Sequence, residues 1–151
     1  MIRTDKRMRI CIFLLVCNLA FIWGNSLLPA EVSQAFSDWV KRFLSGRPTP
    51  APVPGSGPDL LRKAAHFLEF ASLGFLLTWL MAMLQKPAWL SPLCGITAAC
   101  IDETIQFFAP NRGPGIRDVL IDSSGVIFGM LILFLGHTYY QRLHNKHQSE
   151  E

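Results

Sequence analysis

Residues 119–140 read VLIDSSGVIFGMLILFLGHTYY, and this stretch decides the fold. Asp122 is its one Asp, Glu, Lys or Arg. A helix needs about 20 such apolar residues to cross a hydrocarbon core of ~30 Å. A water-facing helix would carry a polar stripe, and here none is present. Three further windows share the texture: ICIFLLVCNLAFIWGNSLL at 10–28, AAHFLEFASLGFLLTWLMAML at 64–84 and WLSPLCGITAACIDETIQFF at 89–108. The chain has 14 Lys+Arg and 11 Asp+Glu, yet within the four windows only Glu69, Asp102, Glu103 and Asp122 are charged. Such segregation predicts an all-α, polytopic membrane protein with four transmembrane helices. Trp23, Trp79, Trp89, Tyr139 and Tyr140 lie near span ends, as interfacial anchors do.

Outside the spans the composition agrees. At 151 residues the chain has room for one domain, and 17% charged falls below the ~25% usual for soluble domains. A net charge of +3 excludes a strongly basic surface, so no nucleic-acid partner is expected. Residues 1–9 form a basic tail, 10–140 the membrane domain and 141–151 a polar tail. Between the first two spans, 29–63 divides in two. EVSQAFSDWVKRFL gathers Val32, Phe36, Trp39, Val40 and Phe43 on one helical face, which suits an amphipathic helix in the interface plane. GRPTPAPVPGSGP, residues 46–58, is a proline- and glycine-rich spacer. The first span is expected to stay uncleaved. Its apolar run exceeds the 7–15 residues of a signal peptide, and no A-x-A-like site follows. Cys11, Cys17, Cys94 and Cys100 have neither zinc spacing nor a C-x-x-C motif and read as inert thiols.

Direction is set by basic residues. With the N terminus inside, seven fall on each side, but Arg3, Lys6, Arg7 and Arg9 crowd the start of the first span and dominate. Both termini are therefore expected in the cytoplasm, with the chain in a bacterial cytoplasmic (inner) membrane.

Acids inside hydrocarbon mark functional sites by default. Glu69 lies five residues into the second span, roughly 8 Å deep at 1.5 Å per residue. Asp102 and Glu103 sit at similar depth from the end of the third, and Asp122 is near the start of the fourth, with Asp118 just outside. Since consecutive spans alternate in direction, all belong to one membrane face, the extracytoplasmic one in this orientation. Lys63, His66 and Glu69 follow at i, i+3 and i+6; Asp102 and Gln106 are four apart. Asp118, Asp122, Gly125 and Gly129 share a stripe, and Gly125-x-x-x-Gly129 lets another helix approach closely.

Two readings of these charges weigh equally: a structural lock of paired acids and bases, or a polar pocket binding a headgroup, with Lys63, Arg112 and Arg117 as donors. A divalent metal among His66, Asp102, Glu103 and Asp122 lacks any ligand motif of familiar spacing, so no metal and no cofactor is expected. Lys41 to Arg47-Pro48 has five intervening residues where a lipid-phosphatase motif needs six, and H-E-x-x-H and G-x-S-x-G are missing.

Taken in order, Trp23 and Ser26, Lys63-x-x-His66, Asp102-Glu103-x-x-Gln106, Pro110, Arg112, Asp118 and Asp122-x-x-Gly125-x-x-x-Gly129 resemble the pattern of the VanZ-like family of small membrane proteins. Two places differ: the loop Pro110-Asn-Arg112-Gly-Pro-Gly is less compact, and Asp122 stands where asparagine is at least as frequent. The resemblance implies a four-helix membrane protein linked to the cell envelope or to glycopeptide susceptibility, and it implies no reaction. The resulting expectation is a pocket for membrane lipids or a lipid-linked or cell-wall component. An intramembrane hydrolase or transferase acting on a lipid headgroup is the alternative, and a homo-oligomer remains open. A transporter is disfavoured by four spans without an inverted repeat.

Overall fold

The computed structural model describes residues 6–46, 60–113 and 115–149. Among them the chain is all-helical, with α1 at Lys6–Ser26, α2 at Ala30–Ser45, α3 at Leu60–Met83, α4 at Leu90–Phe107 and α5 at Ile116–Ser149. The helices begin and end within a few residues of the expected windows except at the C terminus. There α5 runs beyond Tyr140, because no proline or glycine follows to break it. The spacer expected at 46–58 lies outside the described residues apart from Gly46. That glycine ends α2 at φ 63°, its N–H donating to the Arg42 carbonyl at 2.9 Å.

Among the described residues three helices are long and apolar enough to cross a membrane: α1, α3 and the Ile116–Arg142 part of α5. The fourth expected span, α4, is not in this set. α4 spans 18 residues, about 27 Å, and Asp102, Glu103 and Gln106 dilute the apolar character of its last turns.

Antiparallel contacts set the arrangement. From one end of α1 to the other, Asn25 meets Glu69, Asn18 meets Ser72 and the Cys11 thiol meets the Leu76 carbonyl. α4 returns beside α3, where the Thr78 and Ser91 hydroxyls lie 2.7 Å apart, and Thr78 also donates to the Gly74 carbonyl. α5 then runs parallel to α3 and packs on it most closely. A Cβ on Gly125 would strike the Phe67 carbonyl oxygen, one on Gly129 that of Ala71, and one on Gly74 that of Val126. Glycine is required at these points because backbone meets backbone. Phe67 and Phe128 add a ring contact at 5.4 Å.

The core joins Cys11, Leu15 and Ile22 of α1 to Phe70 and Leu73 of α3, Ala98 and Ala99 of α4 and Val126 of α5. Large apolar side chains also cover the outside: Phe13 is 67% exposed and Leu135 70%. A bundle apolar inside and out buries its polar groups between helices and leaves a surface suited to lipid.

Candidate functional site

Because α3 and α5 start where α4 and α1 end, four helix ends and the 108–115 loop converge. α3 brings Arg62, Lys63, His66 and Glu69; α4 brings Asp102, Glu103 and Gln106; α5 brings Asp118 and Asp122. Asp102 and Asp122 are fully buried, and Glu103, Gln106 and His66 nearly so. The i, i+4 spacing places the Gln106 amide against Asp102, and Nε2 donates to Oδ2 at 2.8 Å. The same nitrogen reaches the Ser26 hydroxyl at 3.5 Å. Arg112 comes in from the loop and donates through Nη1 to the Ser26 carbonyl at 3.3 Å. Glu103 turns toward the start of α5, where its Oε2 accepts the Gly115 N–H at 2.7 Å.

A cavity of about 90 Å³ opens among these groups, lined by Arg62, Lys63, His66, Gln106, Asp118 and Asp122. At ~30 Å³ per water it holds roughly three waters or one compact ionic group. A second cavity, about 310 Å³, lies between α1, α2 and α3; Asn25, Phe36, Arg62, His66 and Glu69 are on its wall. His66 and Arg62 thus separate a small charged chamber from a larger, mostly apolar one. The Asn25 amide donates to Glu69 Oε1 at 3.2 Å on that second side.

Among the described residues, many buried polar atoms here have no hydrogen-bond partner. They include both oxygens of Asp122, Oδ1 of Asp102, Oε1 of Glu103, Oε2 of Glu69, Nδ1 of His66, and Nε and Nη2 of Arg112. His66 Nδ1 is 3.8 Å from Asp122 Oδ1, too far for a hydrogen bond. Donors and acceptors sit idle in one region without meeting. In the loop, burial chiefly and then the neighbouring Arg62 charge push the Arg112 guanidinium below its ordinary value.

The candidate residues do not all gather. Lys63, His66, Gln106, Asp118 and Asp122 face the chamber, with Asp102 directly behind Gln106. Glu69 borders the second cavity, Glu103 is engaged by the loop, and Arg117 is exposed outside both. Gly125 and Gly129 lie against α3 on the stripe that carries Asp122. Charge mapping passed over Asn25, which binds Glu69, and the Gly115 N–H, which binds Glu103. Asn25 left a readable signal as a polar residue near the end of an apolar span, at the depth of the acids. The backbone N–H left none. α2 is also tied to this end: Asn111, in the left-handed region at φ 57°, donates its side-chain amide to Glu31, and the Ala30 N–H reaches the Pro110 carbonyl at 3.3 Å.

No curated protein and no solved structure matches the chain. A family model described as VanZ/LLP1 matches residues 10–137, which include the starts of α2 to α5, all but the first few residues of α1, the loop carrying Arg112 and every group lining the small chamber. Helices suited to spanning a membrane accompany that match, and the chain belongs to the VanZ/LLP1 family.

Proposed function

We propose that the chain is a cell-envelope membrane protein whose polar chamber binds the anionic headgroup of a lipid-linked or cell-wall component. In this reading α4 makes a fourth crossing, both termini are cytoplasmic and the chamber faces the extracytoplasmic side. Four crossings put Asp102, Glu103 and Gln106 close to the interface instead of at the bilayer centre, where charge is most costly. α2 then lies in the interface plane, its Phe36, Trp39 and Phe43 rings stacked in a row along one exposed face.

The observation that carries the pocket over the lock is Arg112. A lock would pair its guanidinium with the buried carboxylates, yet Nε and Nη2 have no partner among the described residues while carboxylate oxygens nearby are equally idle. Groups held apart in this way are placed to meet a third party. Arg62 and Lys63 at the chamber wall supply donors for a phosphate, and Arg112, which is not part of that wall, adds its two idle nitrogens by turning toward it. The 90 Å³ volume admits that group alone, so the rest of the headgroup stays outside. Effects on glycopeptide susceptibility would follow from holding a wall precursor.

The test uses purified full-length protein and a polyprenyl-phosphate probe in detergent. Arg112→Ala should weaken binding roughly 10-fold, the scale of one or two charged hydrogen bonds, while membrane accumulation stays unchanged. Loss of accumulation in both Arg112→Ala and Asp102→Ala, with no probe binding by the parent chain, supports the lock instead. Steady conversion of the probe would replace binding with headgroup hydrolysis or transfer.

A further inference from the structure

We propose that His66, Asp102 and Asp122 form a site for one divalent transition-metal ion. Three helices contribute one donor each: an imidazole nitrogen from α3, a carboxylate oxygen from α4 and another from α5. These donor atoms all lie within 4.8 Å of one another. Both aspartates are 0% exposed. Asp122 has two unpartnered oxygens, Asp102 one, and His66 Nδ1 is unpartnered as well.

Simpler explanations leave an atom over. A proton shared between Asp102 and Asp122 would relieve their repulsion but do nothing for His66 Nδ1. An imidazolium paired with Asp122 needs a shorter contact than the observed 3.8 Å and leaves Asp102 Oδ1 idle. One dication answers all three and neutralises two buried negative charges. Bonds of about 2.0–2.2 Å require the three side chains to draw inward from their present spread, and the adjoining chamber gives His66 and Asp122 room to rotate.

The donor set selects the class of ion. One imidazole with two carboxylates suits zinc, manganese or ferrous iron; an all-oxygen set would suit calcium or magnesium. Gln106 acts from behind, its amide bond occupying Asp102 Oδ2 and leaving Oδ1 unpartnered for the ion. Such supports typically govern 10–100-fold of metal affinity. Glu103 is outside the set: its Oε2 is held by the Gly115 N–H, and its carboxylate is not among the donors that lie within 4.8 Å of one another. Three protein ligands leave coordination positions open toward the chamber, where a water or an anionic oxygen could enter. The assignment does not depend on the headgroup reading, since the ion is assayed without lipid.

Full-length protein in detergent, stripped with a chelator and then given Zn²⁺ or Mn²⁺, should retain about one ion per chain through gel filtration. Asp122→Asn and His66→Ala should reduce retention to below a tenth, Gln106→Ala should weaken affinity about 10-fold, and Glu103→Gln and Arg112→Ala should keep the ion. Manganese spin-echo spectroscopy of the unaltered protein should show one imidazole nitrogen coupled to the metal, a result independent of whether any variant folds. Absence of retained metal, lack of nitrogen coupling, or equal retention by well-folded Asp122→Asn overturns the site.

Discussion

Asp122 and Glu31 illustrate how differently two acids behave in one small protein. Asp122 is wholly buried with neither oxygen hydrogen-bonded among the described residues, a placement that costs several kcal/mol unless something compensates the charge. Glu31 is exposed at the start of α2, where its own backbone N–H and then the Asn111 amide hold its carboxyl below the usual range. A depressed pKa means the contact is fully present above the ordinary glutamate value and is lost as pH falls through the lower, folded one. The α2–loop contact should therefore loosen only below about pH 4.3. Hydrogen exchange across residues 30–36, taken relative to the intrinsic rate at each pH, should rise there in the parent chain, while Glu31→Gln should show the same relative exchange at pH 6 and at pH 3.5. An equal acid-induced rise in that variant would remove Glu31 as the cause.

Among the elements, α3 and α5 form the closest pair, and glycine is the reason. Their carbonyls lie where a Cβ on Gly125 or Gly129 would have to go. Each Gly→Ala change at these positions should destabilise the protein by about 1–3 kcal/mol, the cost of overpacking a rigid contact. Gly136, on the same helix, has nothing within 4 Å of an added Cβ. Gly136→Ala should be neutral or stabilise by up to about 1 kcal/mol through helix propensity. Thermal unfolding in detergent compares the three, and equal Tm values would mean that the helices do not pack through this stripe. The GxxxG was readable from sequence, since it needs only local spacing. Its partner was not: Gly74, Phe67 and Ala71 are identified only by the way α3 lies along α5.

For the whole molecule the topology turns on α4. It is shorter than the other long helices and carries Asp102, Glu103 and Gln106 in its last turns, yet Leu93, Ile96 and Ile101 face outward and its two ends adjoin opposite ends of α3. In a cysteine-free background, Ala88→Cys and Gly113→Cys should react with an impermeant maleimide from opposite sides of intact membrane vesicles, Ala88→Cys from the cytoplasmic side. Labelling from one side only would remove the fourth crossing and, with it, the placement of the chamber at the outer face.

Sequence alone determined that the chain is helical and suited to a membrane, because hydropathy over 20 residues is a local property that tertiary contacts do not alter. It also determined that the acids cluster near one end, since alternating spans bring 69, 102–103 and 122 to similar depth. Which acids meet was decided by helix rotation and by the path of the 108–115 loop. Those features turn Glu69 toward Asn25, give Glu103 to the Gly115 N–H and leave Arg117 outside, while Asp102 and Asp122 converge with His66. Rotation about a helix axis costs little in hydropathy where every face is apolar, so the sequence carries almost no record of it. Close backbone contact at Gly74, Gly125 and Gly129 sets that rotation, and only the packed structure contains it.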